Sequence, residues 1–167
     1  SNTNFQDSAA LGDVMADYVD AGGGVVIATF ANSEASALRI LLGRWQTGYE
    51  VIVPGSGRVT GAQSLGVVHD PGHPVMQGVN TFSGGSSSFR PASTTLTAGS
   101  SLLAEWTDGR ALVALGASEQ RVDLGFYPPS SDCSGGFWTA NTDGAVLMAN
   151  ALIFTAGGGG GTPYCFG

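Results

Sequence analysis

The run Val25-Val26-Ile27-Ala28-Thr29-Phe30 holds six consecutive residues without a charge, a glycine or a proline, and without alternation of polar and apolar side chains. A strand with one face in water shows that alternation, whereas a strand covered on both faces does not. The segment is therefore expected to be a central strand of a parallel sheet, buried on both sides. What precedes it agrees. From Ser8 to Asp20 the apolar residues Leu11, Val14, Met15, Tyr18 and Val19 recur at the spacing of one helical face, with Asp7 or Ser8 as the cap and Asp13, Asp17 and Asp20 on the solvent side. Gly22-Gly23-Gly24 then ends the helix before the strand begins.

Further along, the pattern predicts a second helix over Ser33–Leu42, ending at Gly43, and strands over Glu50–Val53 and Ser64–His69. Residues 83–101 are rich in Ser, Thr and Gly, with Phe89 and Leu96 as their apolar anchors, and read as a surface excursion. Leu102–Trp106 and Ala111–Leu115 flank Thr107-Asp108-Gly109-Arg110, and an Asp-Gly pair between apolar runs is a strong hairpin signal. Arg121–Phe126 reads as another strand and Asp143–Thr155 as a last helix, with Val146, Leu147, Ala151, Ile153 and Phe154 as its inward stripe. The core is expected to draw on Leu11, Val14, Val26, Ile27, Leu112, Val113, Leu147 and Ile153. Helices and strands mixed along 167 residues, enough to bury roughly two-thirds of the unfolded chain's surface, make one α/β domain over residues 1–156. The five glycines 157–161 open a Gly-rich linker, and residues 157–167 read as that linker and the start of a further segment.

Six arginines and no lysine oppose thirteen acidic residues, for a net charge of −7. A nucleic-acid partner needs a basic surface that this balance excludes. No window approaches about 20 uninterrupted apolar residues, so no membrane span is expected. The lack of lysine, the abundance of Ser, Thr and Gly and the sparse charge point to an extracellular or cell-surface product. Cys133 and Cys165, the two cysteines, form one disulfide in an oxidising compartment or stay as two free thiols in a reducing one; both states fit the sequence.

Motifs that carry chemistry are thin. Ligands in open α/β sheets bind beyond the carboxyl ends of the strands, and the loop after the apolar run reads Ala31-Asn32-Ser33-Glu34. It offers the hydroxyl of Ser33 and the carboxylate of Glu34, with Ser33 equally suited to capping a helix. His69-Asp70-Pro71-Gly72-His73-Pro74 brings two histidines within four residues, but the prolines and glycine oppose a helix and no third ligand stands at a diagnostic spacing, so a structural turn is expected and no metal. No Gly-x-Gly-x-x-Gly and no P-loop lysine occur, and no cofactor is expected. Tyr127 and Trp138, with Phe137 between Pro129 and the last helix, are the candidates for an aromatic shelf that would stack on carbohydrate, the alternative being that they cover the core.

Read in order, Leu11–Val26, then His73-Pro74-Val75-Met76-Gln77-Gly78-Val79, Leu103–Gly109, the strand Arg121–Phe126 leading into Tyr127-Pro128, and Trp138 followed by the helix Asp143–Phe154 resemble the class I glutamine amidotransferase-like superfamily, in its trehalose-utilisation-type branch. The resemblance covers about residues 5–156. It implies a flavodoxin-like three-layer αβα sandwich with a mostly parallel sheet and an added antiparallel hairpin. It also implies a cysteine nucleophile at the turn after Val25–Phe30. This chain has Phe30, Ala31 and Asn32 there, so glutaminase chemistry is expected to be absent. Members of the superfamily begin with a strand, a helix and a further strand ahead of the segment matching Ser1. Thr162–Gly167 resembles the start of a Cys-containing module of the kind that trails secreted bacterial proteins, so the chain reads as an internal piece of a longer one.

Two functions follow as expectations. The first is a non-catalytic extracellular structural or interaction module, binding copies of itself or other domains of the same protein, in a homomeric assembly or a filament. The second is a secreted hydrolase or sugar-modifying enzyme using Ser33, Glu34, His69, Asp70 or His73.

Overall fold

The computed structural model describes residues 3–34, 39–118, 120–129 and 136–157. Helix α1 spans Ser8–Asp20, capped by the Asp7 carboxylate, which accepts from the Ala9 and Ala10 amides. Strand β1 is Val25–Ala28, β2 Arg58–Thr60, β3 Leu65–Val68, β4 Phe89–Pro91, β5 Ser101–Trp106, β6 Ala111–Leu115 and β7 Arg121–Leu124; helix α2 is Gly144–Ala156. Short 3-10 turns lie at Gly43–Thr47 and Pro74–Met76. The main sheet has the order β1-β7-β6-β5-β3, and β2 and β4 form a separate antiparallel ribbon.

The mixed α/β architecture holds, but the sheet is not mostly parallel. Only β1 and β7 run parallel, with Val25 opposite Arg121 and Ala28 opposite Leu124; β7–β6, β6–β5 and β5–β3 are antiparallel. The reason is connection length. The β5–β6 and β6–β7 links are tight turns, which join antiparallel neighbours, whereas parallel neighbours need a long crossover. The expected Asp108-Gly109 hairpin is there, with Gly109 at φ +79°.

β1 is also not central. Among the described strands it is the edge of the sheet, though helices cover both of its faces. Val25 and Ile27 pack with Val19 of α1 and with Leu41 and Trp45, while Val26 and Ala28 pack on the opposite side against the cluster that includes Leu147 and Ala151 of α2. Its uninterrupted apolar run thus reflects two covered faces, which an edge strand can also have. Close approach fixes both helices. A Cβ on Gly12 would stand 2.0 Å from the Leu42 carbonyl oxygen, and one on Gly24 would stand 1.9 Å from that of Thr155.

Other expectations change. No helix spans Ser33–Leu42 among the described residues: Ser33 lies in a turn, Glu34 forms isolated bridges with Gly55 and Ser56, and Leu42 has extended backbone. Glu50–Val53 contributes one bridge, Ile52 with Leu96, rather than a strand. The stretch 83–101 is not a bare excursion, because it contains β4 and the buried Arg90. Of the expected core, Val14 and Ile153 are exposed, at 62% and 63%. The buried line of α1 runs through Ser8, Gly12, Ala16 and Val19, and that of α2 through Gly144, Leu147, Ala151 and Thr155. Small residues win these positions because backbone passes so close, and the bulkier neighbours turn outward. Val146 is likewise exposed and Phe154 only partly covered.

Arg90 joins the small ribbon to the main sheet. Its Nε donates to Asp108 at 3.0 Å, one terminal nitrogen donates to the Gly61 carbonyl at 2.6 Å and to the Ser88 hydroxyl at 3.0 Å, and its plane lies over Trp106. Arg90→Leu is expected to lower the unfolding free energy by about 3 kcal/mol, since charge-assisted bonds are lost and buried acceptors are left unpaired. Chemical denaturation measures it; a change below about 0.5 kcal/mol would show the arginine to be dispensable.

Candidate functional site

Two places in the fold gather groups that can bind something: the carboxyl ends of β1 and β7, and the outer edge of β1.

At the strand ends, Glu34 is buried and bridged by two guanidiniums, Arg39 at 3.2 Å and Arg58 in closer contact. Both arginines lie over the Phe30 ring, at 5.3 and 5.2 Å, and Arg58 also lies over Phe89 at 5.2 Å. Phe30, Phe89, Tyr127 and Phe137 form one aromatic cluster with centroids 4.9 to 5.3 Å apart in successive pairs. Two positive groups against one carboxylate leave a local excess of one positive charge in an acidic chain. Ser33 is fully buried, and its hydroxyl donates to the Phe30 carbonyl at 3.3 Å. It caps no helix among the described residues.

The histidines are elsewhere. β3 is the far edge of the sheet and runs opposite to β1, so His69 follows it at the other edge and the other end of the strands, while His73 lies beside α2. Four inter-strand spacings separate the two edges, roughly 19 Å. His69 Nε2 pairs with Glu105 at 3.0 Å, and His73 Nδ1 accepts the Val75 amide at 3.2 Å while its ring meets Phe154. Ser33 and Glu34 are thus brought together, whereas His69 stands with Glu105 and His73 with Phe154, apart from them. Among the described residues no group of three or more His, Cys, Asp and Glu is placed to hold a metal ion, and no helix is long and apolar enough to cross a membrane. Trp138 is no shelf: it is buried in the core, with its indole N–H donating to the Pro129 carbonyl at 2.7 Å. Tyr127 stands in the aromatic cluster with Arg58 nearby. Cys133 and Cys165, and the segment beyond Gly157, lie outside the described residues.

The edge of β1 is the second place. Val25 and Thr29 donate their amides to Gln120 and Leu124 carbonyls on β7, so the alternation of a strand turns the amides of Val26 and Ala28 outward. No described strand pairs with them. On α1, Asp13 and Asp20 form one flank and bond Arg44 and Tyr49; the turn that carries Arg44 lies toward β7, where Arg121 donates to the Gly48 carbonyl. The opposite flank, Leu11, Met15 and Tyr18, therefore projects past β1, with Tyr18 over Gly23 and 54% exposed. On α2 the same logic holds. Asn150 and Phe154 face the 73–77 segment toward the sheet interior, so Met148 and Leu152 project past β1 on the other face, Leu152 being 59% exposed. An open edge lies between two apolar flanks.

Sequence reasoning did not name Arg58, took Phe89 only as an anchor of the 83–101 excursion, and placed β1 in the middle of the sheet. One signal for the first was available, since each of only six arginines in a sparsely charged chain has to be accounted for. A further group it missed is Asp123, a carboxylate in the middle of β7. It is fully enclosed, accepts the Ile52 amide at 3.1 Å and faces Asn32, Arg121 and Glu50. Burial raises its pKa to about 7 against the opposing effects of the Ile52 and Asn32 hydrogen bonds and of Arg121, and burial likewise raises Glu50 to about 7.

Family models, curated proteins and solved structures return no match to this chain.

The buried carboxylate has a consequence for pH. A carboxyl whose folded pKa exceeds its unfolded one holds its proton in the native state, so stability declines as pH rises from about 4 to about 7 and levels off above. Glu50 contributes in the same direction. Asp123→Asn keeps the shape and an acceptor for Ile52. It is expected to gain on the order of 1–3 kcal/mol over the parent at pH 8, and little at pH 4, in denaturant titrations at both pH values. Equal differences at the two values would contradict the protonated carboxyl.

Proposed function

We propose that this protein is a non-catalytic interaction module that forms homomeric assemblies by adding a strand along the outer edge of β1. One observation carries the reading: the outward amides of Val26 and Ala28 lie open between Leu11, Met15 and Tyr18 on one side and Met148 and Leu152 on the other. Edge strands in proteins that stay single are normally blunted by charge, proline, bulges or a covering element. β1 carries none of the first three, and no described element covers it. Pairing there would satisfy the backbone groups and bury the flanks together, which is how strand addition combines affinity with selectivity.

The absence of a catalytic role in this reading rests on position. The serine and glutamate of the β1 loop are internally bonded, and the histidines stand elsewhere, His69 at the far edge with Glu105 and His73 against Phe154 of α2. The composition, free of lysine and sparse in charge, supports an extracellular or cell-surface setting. The flavodoxin-like kinship of the chain belongs to the same reading, supported by helices on opposite faces of a parallel pair. A second reading, a secreted hydrolase or sugar-modifying protein, is favoured by the Arg58–Phe89–Tyr127–Phe137 cluster at the carboxyl ends of β1 and β7. An aromatic surface beside a guanidinium suits a carbohydrate ring bearing a carboxylate.

Light scattering over a concentration series is expected to show self-association of the purified chain. Tyr18→Lys, a change at an exposed position, should weaken it about tenfold, and Val67→Lys, at an exposed position on the far strand β3, should leave it unchanged. A monomer at every concentration, or an assembly indifferent to Tyr18→Lys, would refute the proposal.

A further inference from the structure

Resting on that reading, we infer that the occupant of the β1 edge is β1 of a second copy, paired antiparallel across a two-fold axis with Val26 opposite Val26 and Leu152 against Leu152. Three observations lead there.

The first is charge. The chain carries a net −7, so two copies repel wherever their acidic surfaces meet. α2 has no charged residue from Gly144 to Ala156, β1 has none, and the projecting flank of α1, Leu11, Met15 and Tyr18, has none. The edge is thus the part of the surface that can oppose itself without that cost, and an apolar flank is complementary to its own copy.

The second is the ladder. Outward-facing residues of β1 and its approach are Gly24, Val26 and Ala28. Centring an antiparallel pair on Val26 places Gly24 opposite Ala28 of the other copy, so that every outward group finds a partner in both copies at once. The helices fall into line with this register. Thr155 touches Gly24, and Leu152 stands three residues back along α2, about 4.5 Å at helical rise; Val26 stands about 6.6 Å along the strand from Gly24. Leu152 therefore sits within about 2 Å of the level of the axis and meets its own copy.

The third is the far edge. A head-to-tail chain of copies that continues the main sheet from one to the next would need β3 as the complementary strand. β3 is partly taken: the Leu65 amide donates to the Phe82 carbonyl at 2.8 Å, the Gly84 amide to the Gln63 carbonyl at 2.9 Å, and Ser64 bridges Ser83. Little beyond Val67 remains free for a neighbour. An isologous pair uses one open edge per copy and closes, giving a ten-stranded sheet from two five-stranded ones.

A charge exchange at the axis tests this. Leu152→Lys and Leu152→Glu alter an exposed side chain, and circular dichroism establishes that each variant is folded. By light scattering the parent chain is expected to reach the mass of two copies and no more. Each variant alone should be monomeric, because a charge would meet its like, and the equimolar mixture should return to the mass of two. A mixture that stays monomeric while the parent assembles, or a parent mass that grows beyond two copies, overturns the two-fold pair and leaves strand addition at β1 in another geometry. A parent that is monomeric throughout overturns both this inference and the reading on which it rests.

Discussion

The main sheet and both helices are arranged around a strand that is covered on two faces and, among the described residues, paired on one edge. Val25 and Ile27 need α1, Val26 and Ala28 need α2, and the parallel ladder to β7 sets both helices at a fixed depth. Gly24 and Gly12 stand where the backbone of a neighbouring segment would collide with any side chain. Because close approach is bought with small residues, the bulky apolar side chains of both helices are displaced to the flanks. The exposed Tyr18 and Leu152 are thus a by-product of close packing, of α1 on the Leu42 backbone and of α2 on Gly24, and they flank the edge that we propose as a docking surface.

Buried polar groups fix the remaining geometry. Arg90 fastens the β2–β4 ribbon to the Asp108 turn, Glu34 gathers Arg39 and Arg58 over the aromatic cluster, and Asp123 receives the Ile52 amide. For the first two, a charge taken from water is matched by opposite charge or several acceptors, the condition under which burial is tolerated. For Asp123 the match is incomplete, and burial raises its pKa to about 7 against the Ile52 and Asn32 hydrogen bonds and the positive charge of Arg121 two residues back.

Local patterns in the sequence were legible where local physics decides them. α1, α2, β3, the β5–β6 hairpin and β7 all lie where periodicity and turn chemistry place them. What was not legible depended on tertiary contact. Of the expected helix Ser33–Leu42 only residues 33–34 and 39–42 are described, and there Glu34 is drawn into an ion pair with Arg58, from a segment more than twenty residues away. The same is true of Val14 and Ile153, whose helical periodicity points to a core; which line of a helix faces inward was decided by glycine and alanine meeting backbone. The expectation of two covered faces for Val25–Ala28 holds in part, with Val25 and Ile27 buried and Val26 and Ala28 half-buried, but covering of faces says nothing about pairing of edges, so its place at the rim could not be deduced. For the site, the loop Ala31–Glu34 was located and its partners Arg58 and Phe89 were not, since they reach it through the separate ribbon.

Pairing of the outward amides of Val26 and Ala28 with another copy of the chain, as proposed above, would show in their exchange with solvent. Amide hydrogen exchange is resolved to these two residues and followed at concentrations below and above self-association. Rapid exchange of both is expected in the dilute protein and strong protection in the concentrated one, with Val25 and Ile27, whose amides turn toward β7, protected in both. Val26 and Ala28 exchanging at the same rate in the two conditions, while the protein self-associates, would contradict it.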